Sequence, residues 1–239
     1  MGKHINNPFD FFDKIYCINL PESKDRKLGM IKEFEKVEIN NVNWIHAPRP
    51  PENFESSLYQ RNAAGEFGCS LSGCKAVIHA AASGAKNVLV FDDDIKFISD
   101  AHNVLQKGLD QLKGLEWSVL YLGGNLLTRT KRTNSNLVRV SNRFDGSYAY
   151  AINRKYFLDF IEFWMYGITH GLYKRNKEME LSPYDVILSF FAERTGYGYA
   201  IYPNIARPIA IKSLVDNVFY DDNRLDIRIE ENWKKNLVD

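Results

Sequence analysis

The stretch 88-VLVFDDDIKF-97 decides the reading of the chain, because four apolar residues run directly into three aspartates before an apolar residue resumes. The run 87-NVLVF-91 reads as a central strand, too short for a helix and rich in β-branched residues. Downstream, a helix over about 100 to 113 leads to a second apolar strand, 118-SVLYLGG-124. Upstream, Gly65 to Ala82 has a helical pattern with a small-residue face, stopped at Ser83-Gly84 where glycine commonly ends a helix. Further back, 15-IYCINL-20 closed by Pro21 suits a buried strand. A helix follows with Ser23 as N-cap and Leu28, Ile31 and Phe34 in helical spacing. Segment 42-VNWIHA-47 reads as another strand, and 48-PRPPENFESS-57, rich in proline and polar residues, as a loop. Beyond 124 the pattern changes. Residues 125 to 147 are polar and basic, 148-YAYAI-152 reads as a strand, and helices cover 154 to 165 and 183 to 194. Strand and helix in alternation argue for an α/β fold, a mainly parallel sheet with helices on both faces.

A chain of 239 residues with 45% hydrophobic content suits one substantial domain. Lysine plus arginine (31) nearly balances aspartate plus glutamate (30), which excludes a strongly basic nucleic-acid or membrane-surface binder on bulk charge. The start MGKHINNPFD has no signal-peptide core, and no stretch approaches the roughly 18 apolar residues of a membrane span, so the expectation is a soluble, cytoplasmic protein. Cys17, Cys69 and Cys74 form no CxxC pair, and the reading is three reduced, partly buried thiols.

In an extended chain Asp92 and Asp94 point one way and Asp93 the other. At the carboxyl end of a central strand they lie where open α/β sheets bind ligands. Three unpartnered carboxylates would resist burial at a cost of several kcal/mol, so a cation or basic partner is the simplest compensation. Oxygen ligands with few other donors suit magnesium or manganese, which commonly also hold a substrate phosphate. The alternative is a solvated cluster capping the next helix, and the tripeptide alone does not choose between them.

A second segment, 65-GEFGCSLSGCKAVIHA-80, adds to the first. With it the sequence resembles glycosyltransferase family 25, the lipooligosaccharide-type β-galactosyltransferases related to the collagen galactosyltransferases. The family pattern Gly-Glu-x-Gly-Cys-x-x-Ser-His-x-x-Ala is matched at Gly65, Glu66, Gly68, Cys69, Ser72 and Ala76, and its acidic Glu/Asp-Asp-Asp at Asp92, Asp93 and Asp94. Similar also are 16-YCINLPESKDRK-27, 121-YLGG-124 and 146-GSYAYAINRKYF-157. The resemblance covers about residues 14 to 190. It departs from the pattern at Gly73, where the family has histidine, and at Asn153, where it has serine. After about Gly196 the match is poor, in the region where acceptor contacts are expected.

The resemblance implies a GT-A-like fold, a Rossmann-type sheet in one domain over 1–239, with a nucleotide-sugar half at about 14–124 and an acceptor half at about 125–239. It implies transfer of a hexose from a nucleotide-sugar, a UDP-hexose, to a saccharide or glycoconjugate hydroxyl, with inversion, as in lipopolysaccharide biosynthesis. A Mn2+ or Mg2+ ion would bridge a DxD-type motif and the donor diphosphate, with Asp92 and Asp94 as metal ligands and Asp93 towards the donor's ribose or sugar. Asn19, Leu20 and Arg26 would line the base and ribose, and Glu66, Gly68 and Lys75 would complete the donor side. Alternatives stay open for several of these. Arg26 suits a phosphate or carboxylate but equally a surface ion pair, Glu66 suits a first helical turn, and Lys75 a solvated helix face. For the base that takes the acceptor proton, Asp185 in 182-SPYDVILSFF-191 is the first choice and Asp145 the reserve. Asp185 also suits a plain helix cap. His79 and His170 read as ordinary histidines, and Trp164 and Tyr166 as packing side chains. Two rival functions remain: a transferase acting on nucleic-acid bases or another polymer through 129-RTKRTNSNLVR-139 and 174-KRNK-177, and a catalytically silent nucleotide-sugar binder.

Overall fold

Alternating side chains in the strands give the sheet two apolar faces, and the helices divide between them. The computed structural model describes residues 7–49, 63–140, 144–175, 178–180, 183–209 and 222–238. Residues 50–57 of the expected loop, 141–143 of the polar stretch, and 176–177 of the second basic run lie outside these. In chain order the elements are β1 (Lys14–Asn19), α1 (Lys24–Lys36), β2 (Val42–His46), α2 (Ala63–Ala82), β3 (Asn87–Phe91), β4 (Ile95–Phe97), α3 (Ala101–Leu112) and β5 (Val119–Leu126). There follow β6 (Thr130–Lys131), β7 (Leu137–Val140), β8 (Phe144–Asn153), α4 (Phe157–His170), β9 (Tyr173–Arg175), β10 (Glu178–Glu180), α5 (Tyr184–Thr195), β11 (Gly198–Ile201), β12 (Ala206–Pro208), α6 (Asp222–Asn236) and β13 (Leu237–Val238).

The main sheet has the order β2-β1-β3-β8-β5-β11-β7. Strands β2, β1, β3, β5 and β11 run one way, while β8 and β7 oppose them, so the sheet is mainly parallel as expected. Because β8 lies antiparallel between β3 and β5, its beginning falls at their carboxyl ends. Asp145 thus pairs opposite Asn125, and the backbone N–H of Asp92 donates to the Tyr148 carbonyl at 3.0 Å. Both β5 and β8 are longer than the sequence reading. The polar and glycine residues that hid the extension form two irregularities in the pairing, between Tyr121 and Gly123 and between Gly123 and Asn125. Gly124 takes φ +157°, and a Cβ there would lie 2.1 Å from the Phe144 ring.

On one face Tyr16, Val88, Val90, Tyr121, Tyr150 and Ile152 meet α2, α4, α5 and α6. On the other Ile15, Cys17, Leu89, Phe91, Leu120 and Ala151 meet α1 and α3. In α1 the buried face is Met30 and Phe34, continued by Val37, rather than the expected Leu28 and Ile31, which are exposed. Ser23 does stand at its N-cap, though its side chain makes no capping bond. Val88, Leu89, Val90 and Phe91 are all fully buried. Each such side chain stabilises the fold by about 1.5–3 kcal/mol. The residues that follow, the three aspartates, are therefore carried by a fully buried strand end.

Candidate active site

β3 ends at Phe91, and Asp92, Asp93 and Asp94 form the bend that leads into β4. Asp93 turns inward. Its carboxylate accepts from Asn19 Nδ2 at 2.6 Å and from the Arg26 guanidinium at 3.0 Å, and the same guanidinium nitrogen donates to Asp94 at 3.2 Å. Asn19 is the last residue of β1, and Arg26 stands in the first turn of α1, so the β1–α1 turn is tied to the acidic bend. Leu20 contributes its carbonyl to that turn, accepting from the Ser23 N–H at 2.9 Å.

Beside this pairing with Arg26, ionisation of Asp92 and Asp94 is still opposed. Burial, and then the neighbouring Asp94, Asp93 and Asp185, push the Asp92 carboxyl well above the usual carboxylate range. Burial and then Asp93 push Asp94 up to about 6, with Arg26 opposing. Raising Asp94 from its ordinary 3.8 to about 6 means that keeping it ionised at neutral pH costs the fold about 3 kcal/mol. The buried β3 side chains exceed that cost, so the strand end holds charge that its surroundings resist.

Two helix starts bring further carboxylates. Asp185 is the second residue of α5, where its Oδ1 accepts from the Val186 N–H at 2.8 Å, and its charge acts on Asp92. Glu66 lies in the first turn of α2. The Cys69 thiol, one turn further on, is pushed up by burial and then by Asp92, Asp185, Asp94 and Glu66. On the far side the fully buried Tyr121 phenol is pushed up by burial, then by Asp185 and Asp145. The expected residues Asp92, Asp93, Asp94, Asp185, Asp145, Glu66, Asn19 and Arg26 thus gather at one sheet edge.

Two others take different places. Gly68 is buried within α2, where its carbonyl accepts from Ser72 Oγ at 2.6 Å. Lys75 is exposed, in the wall of a hollow of about 280 Å3 lined also by His46, Leu71, Cys74, Ile78 and Trp164. Trp164 packs in the core and donates to Ser70 Oγ at 2.8 Å, while Tyr166 is half-exposed and stacks on His170. His79 and His170 are exposed, and their rings meet Tyr16 and Tyr166. In the first basic run Arg139 donates to the Gly196 carbonyl and Arg132 lies over the Tyr202 ring. The three cysteines are free thiols.

Sequence reasoning missed three tyrosines, Tyr121, Tyr150 and Tyr184, because aromatic residues in apolar strands and helices read as packing. The departure at Gly73 was the available signal. A Cβ there would lie 2.4 Å from the Tyr184 ring, so the ring takes the space a side chain would need. Asn153, the other departure, caps the short 3-10 turn after β8, accepting from the Lys155 N–H at 3.0 Å.

Among the described residues no three His, Cys, Asp or Glu side chains stand in a ready-made metal-binding cluster. The donor set nonetheless suits a hard divalent cation, since two part-exposed carboxylates that repel each other, Asp92 and Asp94, are the protein share that magnesium or manganese takes beside substrate phosphate and water.

The profile of glycosyltransferase family 25 (LPS biosynthesis protein) matches residues 12–210. The chain is 27% identical over 139 residues to the human protein named inactive glycosyltransferase 25 family member 3, covering 51% of this chain and 23% of that one. It is 25% identical over 161 residues to human procollagen galactosyltransferase 2, covering 58% and 25%. The matched regions therefore span about a quarter of each relative's length. A solved structure, a glycosyltransferase involved in glycosylation of the major capsid of PBCV-1, is similar at 10% identity and TM-score 0.36, over 64% of this chain and 65% of that one. With its profile matched across most of its length and the acidic edge and α2 start in place, the chain belongs to glycosyltransferase family 25.

Proposed function

We propose that the protein is a metal-dependent, inverting glycosyltransferase of GT-A-like fold that moves a hexose from a UDP-sugar to a hydroxyl of a saccharide or glycoconjugate. The single observation that carries this reading is the crowding of carboxylates at the carboxyl end of β3: Asp92, Asp93 and Asp94 follow a fully buried strand, Arg26 pairs with Asp93 and Asp94, and burial with neighbouring aspartates still pushes Asp92 and Asp94 up. Asp92 and Asp94 would hold Mn2+ or Mg2+, and the bound ion supplies neutralisation of the departing diphosphate. Asn19, Leu20 and Arg26 would line the base and ribose, and Asp93, which would face the donor's ribose or sugar, holds Asn19 and Arg26 in place.

In the transfer, the Asp185 carboxylate accepts the proton of the acceptor hydroxyl as its oxygen forms the bond to the anomeric carbon. The bond from that carbon to the phosphate oxygen breaks, and its electron pair leaves with the nucleoside diphosphate. Asp145, on the other side of Tyr121, is the second candidate. We also place the protein in the cytoplasm, acting on lipopolysaccharide-type acceptors; among the described residues no helix is long and apolar enough to cross a membrane.

A nucleotide-sugar binder without turnover is the second reading, favoured by the relative whose name calls it inactive. Screening UDP-hexoses for Mn2+-dependent hydrolysis, with wild type and Asp185→Asn, separates the two. Turnover lost in Asp185→Asn supports the transferase; Mn2+-dependent thermal stabilisation by a UDP-hexose without turnover supports the binder. No response to any nucleotide-sugar contradicts both.

A further inference from the structure

Resting on that transferase reading, we propose that Tyr184 is the positioning residue that fixes the first turn of α5, and with it the Asp185 carboxylate, and that Gly73 is the notch that seats it. Tyr184 opens α5 and is the immediate neighbour of Asp185. Its ring is held from three directions. From α2, Gly73 leaves so little room that a Cβ would lie 2.4, 2.6 and 2.8 Å from three ring carbons, all far inside contact distance. From β8, the Tyr150 hydroxyl hydrogen-bonds the Tyr184 hydroxyl at 2.5 Å, with the rings 5.5 Å apart. From α4, Phe160 meets it edge-on at 6.1 Å. Tyr150 pairs in turn with Val90 of β3, two residues before Asp92, and with Tyr121 of β5.

One side chain therefore ties the helix of Glu66 and Cys69 to the helix of Asp185 and, through Tyr150 of β8, to the strand that leads into Asp92. Both phenols are buried, at 5% and 1% exposure, and a buried hydroxyl left without its partner is costly. Tyr184 thus cannot shift without breaking its bond to Tyr150, and the first turn of α5 cannot shift without moving Tyr184. Interiors are close-packed, so strain introduced at residue 73 passes to Asp185 rather than being absorbed.

The test uses the full chain with Gly73→Ala, Tyr184→Ala, the double variant and Tyr184→Phe. Alanine is the better helix former, so helix propensity alone would raise the melting temperature of Gly73→Ala. A fall is expected, and the double variant should lose less than the sum of the singles, because removing the ring removes the clash. Additive losses would overturn the seating of the ring over Gly73. In Mn2+-dependent UDP-hexose hydrolysis, Gly73→Ala should lower kcat at least about tenfold with donor KM unchanged, since displacing a reacting group by about 1 Å is worth up to a hundredfold. Tyr184→Phe, which keeps the ring, should retain more of kcat than Tyr184→Ala. Equal kcat in all variants would make Tyr184 a packing residue and overturn the proposal. If wild type hydrolyses no nucleotide-sugar, the transferase reading has failed, and a crystal structure of Gly73→Ala decides the positioning separately. A displaced Asp185 carboxylate is expected there, and an unmoved one would contradict the inference.

Discussion

The two ends of the sheet treat polar groups in opposite ways. At the amino ends of β1 and β3, partners match. Asn87 Oδ1 accepts from the Asp13 N–H at 2.8 Å, its Nδ2 donates to the Phe11 carbonyl at 3.0 Å, and Asp13 Oδ2 accepts from the Lys86 N–H at 2.7 Å. Nearby, Glu116 takes both Lys155 and the Tyr156 hydroxyl, which hold its carboxyl below the usual range. At the carboxyl ends the carboxyls of Asp92 and Asp94 are pushed the other way, by burial and then by neighbouring aspartates, Asp94 acting on Asp92 and Asp93 on Asp94. One end is built for stability. The other keeps charge that stability alone would remove, as expected where a ligand completes the balance.

The largest expected effect breaks the charged end. Asp94→Ala should lower Mn2+-dependent turnover of a UDP-hexose by about a hundredfold or more, while the metal-free melting temperature holds or rises, because one of the repelling charges is gone and Arg26 keeps its bond to Asp93. A metal-free variant that unfolds would mean that Asp94 stabilises the fold.

The pH dependence is next. Asp94 has its folded value raised from 3.8 to about 6, so its contribution to stability is fully present below about pH 4 and is lost as pH rises through about 6. Metal-free wild type should therefore lose about 3 kcal/mol of this contribution between about pH 3 and pH 7, and Asp94→Asn should remove that part of the slope in chemical denaturation. An unchanged slope would deny the crowding at this edge.

The paired end should respond the other way round. Asn87→Ala leaves the Asp13 N–H and the Phe11 carbonyl without their partner, at a cost of about 1–3 kcal/mol in denaturant unfolding. Its Mn2+ dependence should match wild type. Glu116→Gln, at an exposed pair, should cost less than Asn87→Ala in the same measurement.

Much of this contrast was legible in the sequence where one residue's local pattern carried it. The run Val88 to Phe91 fixed a buried strand and therefore the place of the aspartates. The chain order from Asn19 through Glu66 to Asp94 and Asp185 led to one edge, because strands and helix starts in an α/β sheet deliver their ends there. What was hidden depended on partners distant in sequence. The inward turn of Asp93 follows from Asn19 and Arg26, 74 and 67 residues away. The role of Gly73 follows from the Tyr184 ring, which no local pattern connects to it. The early half of β8 was masked by Asp145 and Gly146, whose pairing with β5 outweighs their poor strand propensity.

The most direct test is calorimetric titration of Mn2+ in the presence of UDP into wild type and Asp92→Asn/Asp94→Asn at pH 7. Wild type should bind the ion and UDP together, with protons released as the raised carboxyls ionise, and the double variant should bind neither measurably. Equal binding by the two proteins, or none by wild type, would contradict the assignment of the acidic edge as the metal and diphosphate anchor.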